Sequence, residues 1–247
     1  MKYLNLLTLT LPVIFLVSIP DMVFAAPSAD EIVKKADQGR LPQGAISFHA
    51  TVKDYKKTEL AHETQYEILN NATGSGLVKT IFPERQQGRK LLMEGSSLWL
   101  YTPDIKRAAR VSMQQKLTGE IANGDLAKTN FAGDYNATIL GSETVNGVET
   151  YHLSLKAKHS EVTYSKLEYW VAKKDFLPVK TVFYAVSGKV LKTGAYSEPK
   201  MVLGNKCITK FVVTDAVDTT RKSIVFYSNH KRGHFPDTIF SKEALSE

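Results

Sequence analysis

From Ala45 onward the chain mostly alternates apolar and polar residues with a period of two, the spacing that sends every second side chain to one face of a β-strand. Before that point the period is helical. Ser28-Ala29-Asp30-Glu31 has the form of a capping box, and Ile32, Val33 and Ala36 give the following helix an apolar stripe as far as about Gln38, where Gly39 is expected to end it. Six strands are predicted next: Ala45–Val52, Glu59–Leu69, Leu77–Phe82, Arg89–Met93, Ser97–Thr102 and Arg107–Ser112. An amphipathic segment, Gly119 to Lys128, interrupts the alternation. Strands resume at Ala137–Glu143 and Glu149–Ala157, joined through Asn146-Gly147, a strong short hairpin signal. Thr163–Ala172, Val179–Val186, Val190–Tyr196, Met201–Leu203, Lys206–Asp215 and Ser223–Ser228 follow, and Pro236–Leu245 reads as a short helix or an extended clasp. Short links between so many strands require antiparallel pairing, because parallel neighbours need long crossovers. Up-and-down connectivity of this kind curls into a barrel or an incomplete one.

The first residues lie outside that pattern. Lys2, the apolar run Leu4–Val17 and Val23-Phe24-Ala25 form a secretion signal with cleavage expected after Ala25. The run is shorter than the roughly 20 residues of a membrane-spanning helix. No cysteine stands at the cleavage point, so a lipoprotein is not expected, and the mature chain is placed in the periplasm. Residues 26–247 then read as one domain, with no repeat or linker. The lone cysteine, Cys207, excludes an intrachain disulfide and reads as a small buried residue in a strand. The net charge of +7 is spread along the chain in pairs such as Lys56-Lys57, Lys173-Lys174 and Lys231-Arg232, without the clustered basic face of a nucleic-acid binder.

One stretch is more specific. Leu98-Trp99-Leu100-Tyr101 runs into a Thr102-Pro103-Asp104 turn, then a basic strand with Lys106, Arg107 and Arg110, and later Phe131-Ala132-Gly133-Asp134-Tyr135. This W-L-Y-x-P turn, R-x-S strand and F-x-G-D-Y signature resemble the LolA-like family of outer-membrane lipoprotein-sorting proteins. The likeness extends in element order over the mature chain. It implies an α+β, predominantly β fold: an antiparallel half-barrel of about eleven strands with short covering helices. The N-terminal helix and the Gly119 to Lys128 segment are placed to serve as those covers.

Chemistry of the enzymatic kind finds no support in the motifs. There is no G-x-S-x-G or G-x-x-x-x-G-K, and Gly74-Ser75-Gly76 reads as a bare turn. Of six histidines only His230 and His234 share helical ligand spacing, and Asn229–Gly233 reads as a turn, so no metal is expected. Asp125 and Asp134 could be paired for acid-base work, but Asp125 after Asn123-Gly124 reads as a cap or turn residue. No catalytic residue and no cofactor is expected.

Both faces of the strands around the signature carry large apolar groups: Leu98 and Leu100 against Trp99 and Tyr101, then Leu167, Tyr169 and Val171 against Tyr164 and Trp170. The family likeness turns one face into a hollow, left unfilled by side chains, that hides fatty chains from water. Candidate acyl-chain residues are Phe48, Trp99, Tyr101, Trp170, Phe183 and Phe211, with Ile121, Leu126 and Phe131 on a movable cover. Arg110 is the candidate for a head-group or cover contact. Parity alone says which residues share a face, not which face is concave. As the resemblance implies, a monomeric carrier would take an acylated lipoprotein or lipid from an inner-membrane transporter towards an outer-membrane acceptor. The alternatives are an RseB-like lipid- or lipoprotein-sensing regulatory module and an accessory subunit of an inner-membrane exporter.

Overall fold

A computed structural model describes residues 26–127 and 130–246. The expected signal segment, 1–25, and its cleavage point lie outside the described residues. Helix α1 (Ala29–Arg40) opens with Ser28, whose Oγ accepts from Glu31 N while Ser28 N donates to the Glu31 carboxylate, closing the capping box. Gly39 does not end the helix as its composition suggests. It lies buried in the last turn, where an added Cβ would come within 2.8 Å of Leu177 Cδ2, so it is a close-approach glycine, and extended Leu41 terminates the helix.

Six strands follow: β1 (Ile46–Lys56), β2 (Glu59–Asn70), β3 (Gly76–Phe82), β4 (Lys90–Glu94), β5 (Ser97–Thr102) and β6 (Arg107–Arg110). A two-stranded ribbon of β7 (Lys116–Thr118) and β8 (Ile121–Ala122) leads to two short helices, α2 (Asn123–Ala127) and α3 (Phe131–Asp134). The chain then returns to strands: β9 (Tyr135–Val145), β10 (Val148–Ala157), β11 (Lys166–Ala172) and β12 (Pro178–Tyr184), then β13 (Val190–Val202), β14 (Asn205–Asp215) and β15 (Arg221–Arg232). Asn146 and Gly147, both at positive φ, make the tight β9–β10 turn that the Asn-Gly pair announces.

The main sheet is open and wholly antiparallel, in the order β6-β5-β4-β3-β2-β1-β15-β14-β13-β12-β11-β10-β9. The expected half-barrel is therefore present, with thirteen strands in place of about eleven. Several boundaries differ from those in the pattern. The pieces Val190–Tyr196 and Met201–Leu203 are one strand that runs through Pro199. The supposed turn Asn229–Gly233 belongs mostly to β15, because Ile46 and Ser47 of β1 pair as far as Arg232 and Lys231. The expected amphipathic cover is a ribbon and two helical turns, not one helix, and its Lys128 lies outside the described residues.

Burial settles which face is which. β1 alternates strictly, with Ile46, Phe48, Ala50 and Val52 buried on the face that also receives Ile32, Val33 and Ala36 of α1 and Leu126 and Phe131 of the crossing segment. Leu98, Leu167, Tyr169, Val171, Phe183 and Phe211 share that concave core. The opposite face carries a smaller cluster, in which Leu69, Leu77, Leu92 and Tyr101 are covered by Phe240 and Leu245 of the C-terminal tail, with Trp99 packed alongside. That tail makes two 3-10 turns, Asp237–Phe240 and Glu243–Ser246, and is tied down by Lys90 Nζ donating to Leu245 O and Asn71 Nδ2 donating to Asp237 Oδ1. Cys207 is buried, and burial pushes its thiol up to about 11, as an inert core residue requires.

Gly119, between β7 and β8, holds the tightest position. It sits at φ +47°, and an added Cβ would overlap the Asp54 carboxylate and Ser223 Oγ. Gly119→Ala should therefore destabilise the protein by about 2 kcal/mol or more in chemical denaturation, from backbone strain and steric overlap together. A change below 0.5 kcal/mol would show that the ribbon is not seated on Asp54.

Candidate functional site

The concave core is closed by residues 111–127 and 130–134, which lie in the chain between β6 at one edge of the sheet and β9 at the other. Polar groups fix this lid at both margins, and apolar groups fill the space beneath it. At one margin the anchor is Asp54, the next inward position of β1 after Val52, beside Ser223 in the β1–β15 register. Ser223 Oγ donates to Asp54 Oδ1 at 2.5 Å and accepts from Glu120 N at 2.8 Å, while Thr118 Oγ1 donates to Asp54 Oδ2 at 2.6 Å. The buried Glu120 carboxylate meets Arg221 at 2.6 Å and Lys116 at 2.9 Å.

Lys192 continues the network. It occupies an inward position of β13, where parity would call for an apolar residue, and its Nζ donates to Glu120 O at 2.8 Å and to Asp125 Oδ2 at 2.6 Å. Asp125 of α2 also accepts from Ala122 N at 2.8 Å and from the Tyr164 hydroxyl at 2.8 Å. Burial, then the Asp125 charge, hold the Tyr164 phenol well above its usual range, so it stays a donor. The carboxylate is thus hydrogen-bonded on both oxygens. The cap-or-turn reading of Asp125 is right in part: it does tie the turn at Ala122, but its larger role is to pair with Lys192.

At the other margin Asp37 of α1 accepts from Ala132 N at 2.8 Å and from Arg40 Nη1 at 3.4 Å. The Arg40 guanidinium lies 3.8 Å from the centre of the Phe131 ring, a cation–π contact that holds the lid ring from the wall of the pocket, which Arg40 itself helps to line. Lys158 Nζ donates to Ala132 O and Gly133 O, capping the end of α3. Burial is the main reason that the Asp37 carboxyl is pushed up to about 6.

Between these margins lies an apolar hollow bounded by Phe48, Ile68, Leu126, Phe131, Phe183 and Phe211, with Tyr164, Tyr196 and Tyr227 among its polar-tipped walls. Phe131 meets Tyr135 and Tyr169 edge-on at 5.6 and 5.5 Å, and Tyr196 stacks on Phe211 at 4.5 Å. The space left open is about 40 Å³, room for roughly three water molecules. The sequence-based expectation of an unfilled hollow is therefore corrected: with the lid down, the protein's own rings occupy it.

Of the candidate residues, Phe48, Leu126, Phe131, Phe183 and Phe211 converge on the hollow, and Ile121 is buried in the same core beside it. Three do not converge. Trp99 and Tyr101 fall on the convex face because Leu98 and Leu100 take the concave parity, and Lys242 Nζ stands 4.3 Å from the Trp99 ring centre. Trp170 is convex for the same reason, since Leu167, Tyr169 and Val171 point inward; it stacks on His152 at 4.2 Å, and its indole N–H donates to Glu143. Tyr164 precedes β11 and turns into the hollow, opposite to its assumed face. Arg110 is exposed on edge strand β6, beside a shallow crevice with Met113 and Val162 at the root of the lid, and does not reach the hollow. His230, far from any metal role, stacks on Phe48 at 5.5 Å, and burial lowers its pKa. Among the described residues no group of three or more His, Cys, Asp or Glu is placed to hold a metal, and no helix is long and apolar enough to cross a membrane. Asp37, Arg40, Tyr164, Lys192, Tyr196 and Tyr227 were not anticipated; only Lys192, a charge at an inward position of an alternating strand, left a readable signal.

The fold has known counterparts. A LolA superfamily protein from Nitrosomonas europaea superposes with a TM-score of 0.83 at 33% sequence identity, over 89% of this chain and 100% of that one. The chain belongs to the LolA superfamily. A DUF1329 family protein from Desulfovibrio piger shares the LolA-like fold at TM-score 0.76 and 18% identity, covering 88% of this chain and 97% of its own. A domain named for outer membrane lipoprotein sorting, from Vibrio parahaemolyticus, shares it at TM-score 0.74 and 20% identity, covering 89% and 98%. A family profile described as an uncharacterized protein matches residues 72–247 of this LolA superfamily member. Comparison with curated proteins returns no match.

Two predictions test the margins. Lys192→Met leaves Asp125 buried without its cation and should cost about 3–5 kcal/mol in denaturation, with much of that recovered by adding Asp125→Asn; no recovery in the double variant would mean that the two side chains do not act as a pair. For Asp37 the folded state binds its proton more tightly than the unfolded chain, because the carboxyl rises from 3.8 to about 6. Its ionised burial therefore costs stability above about pH 6, and the cost fades as the pH falls towards 4. Relative to Asp37→Asn, the parent should gain up to about 3 kcal/mol between pH 7 and pH 4; parallel stability curves for the two proteins would remove the titration from Asp37.

Proposed function

We propose that this protein is a non-catalytic carrier of acylated cargo, a lipoprotein or a lipid, working in the periplasm between an inner-membrane transporter and an outer-membrane acceptor. One observation carries the reading: Leu126 and Phe131 of the crossing segment fill the apolar hollow of an open sheet, while polar contacts at the margins hold the segment in place. Such side chains occupy a site shaped for hydrocarbon and can be exchanged for it. Lifting the lid exposes Phe48, Ile68, Phe183 and Phe211 to an incoming chain, and cargo takes the place of the lid's own side chains. No cofactor is needed for this exchange, since burial of apolar surface drives it. The relative from Vibrio parahaemolyticus, named for lipoprotein sorting, supports the class of cargo.

Native mass spectrometry of protein purified from its own periplasm tests the reading. An acylated ligand should co-purify with the parent; a stoichiometric protein partner on a ligand-free chain would overturn the carrier role in favour of a sensor or exporter subunit. Leu126→Glu should lower ligand retention at least about tenfold, because a carboxylate would replace hydrocarbon in the hollow. Trp170→Ala should leave retention unchanged while costing about 3 kcal/mol of stability, since its ring packs on the convex face. Equal loss in both variants would put the ligand on the wrong side of the sheet.

A further inference from the structure

Three hairpin tips stand side by side at the end of the sheet where the lid is rooted: β1–β2, β14–β15 and β12–β13. Lys57 N donates to Thr220 O at 2.7 Å, joining the first tip to the second, and Ala216 N donates to Leu191 O at 3.1 Å, joining the second to the strand that leaves the third. Each tip holds an aliphatic side chain in water. Leu60 is 50% exposed, Val217 76%, Val186 87% and Leu191 41%. Scattered singly, such residues would need no account, but gathered on one edge they expose apolar surface that no part of the described chain covers.

The same turns are basic. Lys56, Lys57, Lys189, Arg221 and Lys222 stand against Glu59, Asp215 and Asp218. Two of those three acids turn their oxygens to their own hairpin, Asp215 accepting from Val217 N and Asp218 N, and Asp218 accepting from Thr220 N. We propose that these three tips form a docking edge for an anionic phospholipid bilayer. The aliphatic tips would enter the boundary between head groups and acyl chains, while the ammonium groups of Lys56, Lys57, Lys189 and Lys222 behind them meet lipid phosphates. From β2 to β12 the edge spans five strand spacings, about 24 Å, as a row of separate points. A fluid head-group layer closes around separate points, whereas a folded protein partner seats best on a continuous face.

The location links docking to the lid. Arg221 and Ser223, at the start of β15, hold Glu120, and Lys192, beside Leu191, holds Asp125. A bilayer engaged by these tips would therefore lie next to the anchors that keep the hollow shut. This proposal goes beyond the carrier reading and does not depend on the cargo.

Co-sedimentation of the purified protein with phosphatidylglycerol–phosphatidylcholine vesicles, and with pure phosphatidylcholine vesicles, tests it. Binding is expected on the anionic vesicles, weakening as salt is raised, and at least tenfold weaker for the double variant Val186→Asp with Val217→Asp and for Lys56→Glu with Lys57→Glu. Met201→Asp is the control: Met201 is 71% exposed but stands at the far end of β13, so its substitution should change nothing. All substituted side chains are exposed, and circular dichroism checks that each variant is folded. Equal binding to both vesicle types, parental binding by the tip variants, or an equal loss from Met201→Asp would each overturn the proposal.

Discussion

The structure depends on one topological constraint. The chain begins its sheet in the middle, at β1, builds outward to β6, and must then reach the opposite edge before it can build back to β15 beside β1. Antiparallel neighbours can be joined by tight turns, but this single step cannot. It has to traverse the full width of a curled sheet, and the concave side is the shorter route. The traverse is therefore forced to lie over an apolar surface, and a segment that rests on such a surface must bring apolar side chains of its own. Ile121, Leu126 and Phe131 meet that requirement. The lid is thus a consequence of strand order, and the hollow beneath it exists because a sheet with two free edges, β6 and β9, cannot close on itself.

Fixing where the lid rests is the work of polar groups. A purely apolar contact is nondirectional and would let a segment slide on a smooth ring-lined surface. The Asp125–Lys192 pair, the Asp54–Ser223–Glu120 chain and the Asp37–Ala132 bond each need one geometry. A buried ion pair is weak evidence of net stabilisation, because desolvation offsets most of the attraction. Its effect here is to select one closed position over many similar ones. The elevated Asp37 pKa reflects the cost: a carboxyl is held away from water so that backbone N–H groups of the lid at Phe131 and Ala132 have a partner.

Much of this was legible in the chain. The period-two alternation, the capping box at Ser28 and the Asn146-Gly147 turn each rest on local rules, and each gave the right element. The concave and convex sets of β5 and β11 were also separated by parity, except for Tyr164, which precedes β11 and turns to the concave side. Parity does not say which set faces inward, since both carry large apolar residues; that depended on what covers each side. The C-terminal tail, whose Phe240 and Leu245 cover the convex patch, is far from Tyr101 in sequence, and no local signal announces the contact. For the same reason Trp99, Tyr101 and Trp170 were drawn into the hollow. The lid anchors were hidden differently. Asp37 and Arg40 lie in an ordinary helical pattern, and their role comes from contacts with residues nearly a hundred positions later.

A closed hollow with space for only a few waters is compatible with the proposed carrier role, in which lid and cargo would compete for one surface. Burying Leu126 and Phe131 contributes about 1.5–3 kcal/mol each, and the Asp125–Lys192 pair adds little net, because both charges regain water when the lid lifts. A single sixteen-carbon chain brings on the order of 12 kcal/mol of burial if most of its methylenes are sheltered. Burial of the cargo chain therefore exceeds the apolar hold of these two side chains. Had the hollow been large and permanently open, it would hold water against apolar walls and bind any amphiphile. Had the lid been fixed by a continuous apolar core, one acyl chain could not displace it. In the proposed carrier, a lid held by a few apolar side chains would protect the empty protein and still yield to cargo, and small changes at the polar margins would then tip the exchange in either direction.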